Sequence, residues 1–185
     1  MRELRRMAGR GRALARRLLG LPPRNYWEGR KDFRYFAEVT RLARTYAADA
    51  ESVLDVGPHQ TTFVTQLSWI ESKTAIDLHR RPKMRGVQGI RGDFMDFEPT
   101  QPFDLVICLQ VLEHLDDPTP FARKLLRDGH KVIISVPYRW PKGQCKYHPQ
   151  DPVDEDKVKA WMGRDWLEHT IVEDGMHRLV AAYDN

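Results

Sequence analysis

Short apolar runs alternate with stretches of helical spacing along most of the chain. The segments "SVLDVG" (52–57), "KTAIDL" (73–78), "GVQGIRGDF" (86–94), "FDLVICLQ" (103–110) and "HKVIISVPY" (130–138) are short, rich in β-branched residues and bounded by turn formers, and so read as strands. Between and before them the apolar residues recur at three and four positions. Phe33, Phe36, Val39, Leu42, Ala43 and Tyr46 mark a leading helix within 25–48, and similar spacing predicts helices over 61–70, 119–127 and 153–162. Two apolar runs around Glu173-Asp174-Gly175 predict a closing antiparallel hairpin. Strands that alternate with helices imply parallel βαβ units. Within the strands VLDV, LVIC and VIISV are apolar on successive residues, as expected when both faces of a sheet are covered. The pattern therefore predicts an α/β fold with a doubly wound, mostly parallel sheet and a core over residues 50–183.

In such a sheet ligands bind beyond the carboxyl ends of the strands, where the winding reverses. The first strand leads into Asp55-Val56-Gly57-Pro58-His59-Gln60-Thr61. A dinucleotide needs glycines there so that backbone N–H groups can approach a pyrophosphate. Pro58 has no N–H to donate and His59 carries a side chain into the turn, so a nicotinamide dinucleotide is a poor fit. A phosphate-free ligand such as S-adenosylmethionine asks only that the chain bend closely at one residue, which Gly57 supplies. If His59 takes a left-handed conformation there, the strain is about 1–2 kcal/mol. Asp77 ends the next strand twenty residues after Gly57, where an acidic side chain can accept from both ribose hydroxyls. At the third strand end, Asp93 is placed to accept from an adenine amine and Phe94 to pack on the ring.

With 185 residues, 41% of them hydrophobic, the chain suffices for one well-buried domain, expected over 25–185. The formal charge of +4 is uneven, because residues 1–24 hold eight arginines against Glu3 and leave the remainder net acidic. That stretch reads as a flexible basic extension. It could touch an anionic membrane surface, contact nucleic acid or act as a transit-like segment, or simply be a solvated tail. Nucleic acid is disfavoured as the substrate, since the net acidic body suits no phosphate-tracking surface and no Asn/Asp-Pro-Pro-Tyr/Phe motif is present. No apolar run approaches the roughly 20 residues of a membrane span. Two cysteines, Cys108 and Cys145, offer no disulfide framework, which fits a reducing, cytoplasmic setting. Cys145, His148 and Asp151 match no structural-zinc spacing, and no metal is expected.

Taken together, Gly57, Asp77, Asp93 and above all "FDLVICLQVLEHLDDP" (103–118) resemble the class I S-adenosylmethionine-dependent methyltransferases, in particular the small type 11 group. The resemblance covers about residues 50–183. It implies a Rossmann-like sheet of seven strands, the last antiparallel, with helices on both faces, and S-adenosylmethionine as cofactor. By that resemblance Gly57 lies against the methionine moiety, Asp77 binds the ribose, Asp93 and Phe94 flank the adenine and Gln110 sits near the methionine end. Asp55, His59 and Leu78 complete the implied cofactor-binding set. The family usually has an acid-x-Gly-x-Gly-x-Gly turn, and here the second and third glycines are replaced by His59 and Thr61.

Methyl transfer from a sulfonium is an in-line displacement, so a general base is needed only where the acceptor must lose a proton early. His114, after the fourth strand, and His148, in the loop after the fifth, are the candidate catalytic residues; His114 could equally hold its loop, with Glu113 a helix-start acid. Tyr138, Trp140, Tyr147 and Trp161 have the aromatic character of an acceptor site, though Trp161 belongs to a predicted helix and is expected to pack. These features predict an O-methyltransferase acting on a small molecule, a sugar or related metabolite. The alternative is a catalytically inactive, partner-binding member of the same fold in which His59 fills the cofactor cleft.

Overall fold

The computed structural model describes residues 34–185, so the basic stretch 1–24 and the first part of the expected leading helix lie outside the described residues. Helix α1 spans Arg34–Tyr46. Strands β1 (Ser52–Val56), β2 (Ser72–Asp77), β3 (Gln88–Arg91) and β4 (Phe103–Leu109) follow. Helix α2 (Pro118–Asp128) leads into β5 (Gly129–Pro137), and helix α3 (Glu155–Met162) precedes the hairpin of β6 (Glu168–Asp174) and β7 (Met176–Asp184).

The seven strands form one sheet in the order β3-β2-β1-β4-β5-β7-β6. β1 to β5 are parallel, and β7 runs antiparallel to both β5 and β6. The winding reverses between β1 and β4, which makes their carboxyl ends the expected ligand crevice. The period of two divides the strand residues between two apolar layers. Val53, Leu105, Ile107, Ile133 and Val180 pack with α1, while Leu54, Val106, Cys108, Val132, Ile134 and Leu179 pack with α2 and α3. Trp161 joins the second layer, as expected of a helical position.

One expected helix is absent. Instead of a helix over 61–70, the chain makes a single 3₁₀ turn at Phe63–Gln66. Phe63, Val64, Leu67 and Ile70 are buried with helix-like spacing, which is why the pattern suggests a helix. Thr61, Thr62, Val64, Thr65 and Ser68 are weak helix formers, and the Thr65 hydroxyl donates to the Thr62 carbonyl at 2.7 Å, closing the turn locally. The β2–β3 connection also crosses without a helix and is drawn tightly over the sheet, since a Cβ added at Gly89 would meet the Pro82 carbonyl oxygen at 1.9 Å. The β1–β3 half of the sheet is thus held by turns, whereas the β4–β5 half is backed by α2 and α3.

Candidate active site

The carboxyl end of β1 is bent at Gly57, whose φ is +73° and whose missing Cβ would stand 2.7 Å from Val111 Cγ2. The chain passes through a space that no side chain fits, and a bulkier residue would displace Val111. His59 takes the left-handed conformation, with φ +52°, and so do Gln110 at +59° and Arg139 at +51°. All three follow carboxyl ends of strands (β1, β4 and β5), so the strained backbone positions gather at the ligand-binding edge. The Gln110 N–H donates to the Ser135 carbonyl at 2.8 Å and its Nε2 to Ser135 Oγ at 3.2 Å, joining the ends of β4 and β5.

Asp77 is buried and is used by its own backbone surroundings. Oδ2 accepts from the His59 N–H at 2.9 Å, and Oδ1 accepts from the N–H groups of His79 and Arg80 at 3.0 and 3.1 Å. A carboxylate offers about four acceptor sites, so about one remains, on Oδ2, against the two that acceptance from both ribose hydroxyls would use. The same contact explains the His59 conformation, because it turns that N–H onto Asp77. Asp55 is buried too, with Oδ2 lacking a hydrogen-bond partner. Burial, with the Asp77 charge adding to it, pushes the Asp55 carboxyl up to about 8.

At the third strand end Asp93 is exposed, and its Oδ1 accepts from the Met95 N–H at 2.8 Å, capping the short turn Phe94–Asp96. Phe94 is buried against Phe121 at a centroid distance of 4.9 Å, beneath the edge. Met95 is 41% exposed and Leu78 is 56% exposed, and these two large apolar side chains follow the ends of the adjacent strands β3 and β2. At these strand ends Leu78 and Met95, and not Phe94, are the large apolar side chains that face outward. An alternation count cannot separate Phe94 from Met95 in a three-residue turn.

The turn Leu112–His114 after β4 holds a further buried carboxylate. Glu113 is 1% exposed and neither of its oxygens has a hydrogen-bond partner. Burial raises its carboxyl to about 8, opposed by its own backbone N–H and by the charge of Arg178, and reinforced by Asp151. Glu113 is thus no helix-start acid; Asp117 caps α2, its Oδ1 accepting from the Thr119 N–H at 3.0 Å.

His114 and His148 are brought together edge to face, with ring centroids 4.6 Å apart and planes at 81°. His114 Nδ1 lies 2.9 Å from the Tyr147 carbonyl oxygen, which can only accept, so Nδ1 carries a proton. His148 Nδ1 lies 3.1 Å from Asp151 Oδ2, which selects the same tautomer. Burial and the neighbouring His114 lower the His148 pKa, keeping the imidazole neutral. Donor atoms of Glu113, His114 and His148 all lie within 4.8 Å of one another. Cys145, whose spacing to His148 invited the zinc comparison, takes no part in this group.

The loop after β5 is pinned across these residues. Gln150 Nε2 donates to the carbonyls of Leu115 and Asp116, both at 2.9 Å, and Lys157 Nζ donates to the Gln150 carbonyl at 2.7 Å. Tyr138 donates its hydroxyl to Glu155 at 2.8 Å, and Trp140 donates Nε1 to the His177 carbonyl at 2.9 Å. Tyr147 remains 63% exposed beside His114. Among the described residues no helix is long and apolar enough to cross a membrane.

A doubly wound sheet with one antiparallel strand, a tight glycine turn after β1 and an acid ending β2 define the class I S-adenosylmethionine-dependent methyltransferases. The model of the methyltransferase domain family matches residues 26–178, and the chain belongs to that family. It is similar to the ubiquinone biosynthesis O-methyltransferase of Xanthomonas oryzae pv. oryzae, 30% identical over 93 residues that make up 49% of this chain and 35% of the relative. It is also similar to the dTDP-4-amino-2,3,4,6-tetradeoxy-D-glucose N,N-dimethyltransferase of Saccharopolyspora spinosa, 24% identical over 79% of this chain and 63% of that enzyme. The chain thus matches about a third of the length of the first relative and under two thirds of the second. Among solved structures, the N-methyltransferase NodS of Bradyrhizobium japonicum WM9 in complex with S-adenosyl-L-homocysteine shares the fold with a TM-score of 0.62 at 16% identity, over 89% of this chain and 92% of that one. The N-terminal domain of EvdMO1, solved with S-adenosylhomocysteine and D-fucose, gives 0.56 at 14% identity, over 83% and 84% of the two chains.

Proposed function

We propose that this protein transfers a methyl group from S-adenosylmethionine to a hydroxyl of a small molecule, a sugar or related metabolite. The observation that carries this reading is the His114–His148 pair, edge to face and each held through Nδ1, at the same sheet edge as the Gly57 turn. The cofactor supplies a methyl group on a cationic sulfur. Gly57 lets the chain approach the methionine end, the remaining acceptor site of Asp77 takes a ribose hydroxyl, and Leu78 and Met95 offer apolar contact to the adenine. Gln110, Asp55, His59 and Asp93 border this path. Positioning of this kind can lower the barrier by roughly 7–11 kcal/mol.

On the acceptor side, Glu113, His114 and His148 meet the hydroxyl, which forms a bond to the methyl carbon as the carbon–sulfur bond breaks and its electron pair returns to sulfur. The hydroxyl proton departs toward this cluster. The relatives named for an O-methyltransferase and for an aminosugar methyltransferase support a small polar acceptor. His59 is exposed rather than packed into a cleft, so nothing favours the inactive, cleft-filled reading.

Calorimetry with S-adenosylhomocysteine tests the cofactor half. Absence of binding at millimolar ligand by folded protein overturns the proposal. Incorporation of labelled methyl groups from S-adenosylmethionine into a panel of hydroxylated sugars and phenols tests the other half. His148→Ala is expected to lower kcat at least tenfold while S-adenosylhomocysteine affinity stays unchanged.

A further inference from the structure

We propose that Glu113, His114 and His148 bind a divalent first-row transition-metal ion, zinc by preference, at the acceptor side of the crevice. The proposal rests on reading this cluster as the acceptor-facing part of the site, and its binding test is independent of methyl transfer.

Three features of the geometry support it. The donors come from two separate segments, the turn after β4 and the loop after β5, and converge to within 4.8 Å. Tetrahedral bonds of about 2.0–2.1 Å would draw such donors to roughly 3.4 Å apart, a closure well within reach of the exposed His114 and of the loop that carries His148. Next, both Glu113 oxygens are buried without a hydrogen-bond partner, an arrangement that is costly unless something cationic completes it. Arg178 contributes a positive field at Glu113, and Asp151 brings a second carboxyl group beside the cluster, within hydrogen-bond distance of His148.

The third feature is the orientation of the imidazoles. Metal-binding histidines usually give their other ring N–H to a carboxylate or a backbone carbonyl, which sets tautomer and ring angle. His148 has Asp151 in that role and His114 has the Tyr147 carbonyl. A ring that serves only packing has no need of this arrangement, and here two rings meeting edge to face both have it. Two imidazoles and one carboxylate suit zinc, cobalt, manganese or iron and are a poor set for calcium or magnesium, which prefer all-oxygen shells. Three protein donors leave a fourth position open for water or for the acceptor's oxygen, as in catalytic zinc sites. An acceptor hydroxyl bound there would lose its proton more readily.

The full chain, stripped with a chelator and dialysed, is titrated with zinc against a chromophoric competitor and separately with cobalt. One zinc per chain with Kd below about 1 μM, and visible cobalt bands of a four- or five-coordinate site, are expected. Glu113→Gln and His148→Ala are expected to weaken zinc at least about 100-fold, and Asp151→Asn about 10–100-fold by freeing the His148 ring. Cys145→Ser should bind as the unaltered chain does. Circular dichroism checks each variant for folding, and Asp151→Asn supplies the decision where another variant does not fold. Absence of stoichiometric zinc and cobalt binding, undiminished binding by His148→Ala, or loss of binding in Cys145→Ser would each overturn the proposal, as would binding of magnesium alone. S-adenosylhomocysteine calorimetry on the same preparations separates the two ideas. Cofactor binding without metal binding sinks only the metal site, and the reverse sinks the proposed transfer.

Discussion

After β2 and β3 the acids are occupied by the protein's own backbone, whereas after β4 a carboxylate is buried without a partner beside two histidines, each held through one ring nitrogen. Asp77 accepts three backbone N–H groups and Asp93 caps its own turn. Both Glu113 oxygens are buried without a partner in hydrogen-bond geometry, and the two histidines are held through Nδ1. The contrast follows from how each half is built. Where the crossover helix after β1 is replaced by a 3₁₀ turn, no helix N-terminus is present to organise the turn, and a carboxylate takes over that task. Where α2 and α3 back the sheet, the loops are held from outside by Gln150, Lys157 and Tyr138, and the side chains within are left for chemistry. One sheet edge thus combines a self-supporting half that suits a cofactor with a polar, partly unsatisfied half that suits an acceptor.

The most disruptive way to test that division is Asp77→Ala, which leaves three backbone donors without their charged acceptor. Each such bond contributes roughly 1.5–3 kcal/mol. A loss of about 3 kcal/mol or more is expected, seen as a fall in Tm of roughly 6–12 °C, together with loss of S-adenosylhomocysteine binding. If Tm is unchanged, Asp77 does not support the fold and the contrast fails. Gly57→Ala comes next. The left-handed backbone costs an added side chain about 1–2 kcal/mol, and its Cβ meets Val111 at 2.7 Å, so calorimetry should show cofactor affinity down about tenfold or more in a folded protein.

Asp55 sharpens the comparison through pH. Its carboxyl is raised to about 8 in the folded chain against an ordinary value of 3.8. The folded state therefore holds this proton more tightly than the unfolded chain. The resulting stabilisation is complete below about pH 4 and is lost as pH rises toward 8. Urea unfolding at pH 5 and pH 8 should show stability falling by a few kcal/mol more in the unaltered chain than in Asp55→Asn, the fall that remains in the variant belonging to Glu113, whose carboxyl is also raised to about 8. An equal fall in both would remove Asp55 as the cause. The smallest effects belong to Leu78→Ala and Met95→Ala. Both side chains are exposed, so Tm should stay within about 1–2 °C while S-adenosylhomocysteine affinity drops about three- to tenfold. Unchanged affinity in both would exclude them from the adenine contact.

Much of the fold was legible because burial on both faces of a parallel sheet leaves continuous apolar runs, and β1, β2, β4 and β5 appear within a residue or two of where those runs lie. The helix over 61–70 was misread for a specific reason. Phe63, Val64, Leu67 and Ile70 need burial at helix-like intervals, yet the threonines and valine between them favour a local turn, and periodicity registers only the burial. Nor does the sequence say which of Phe94 and Met95 faces out, since adjacent apolar residues in a short turn carry no period.

The sequence by itself determined the order of strands and helices, the bend at Gly57 and the acids at successive strand ends, because these depend on local sterics and on which residues must leave water. Only the tertiary structure decided what the polar groups do. Asp77 meets His59 across 18 positions, and His114 meets the Tyr147 carbonyl and the His148 ring across more than 30, through contacts set by parallel strands that lie side by side while their loops are far apart in the chain. Whether a carboxylate or an imidazole is satisfied depends on those distant partners, and no local pattern encodes them.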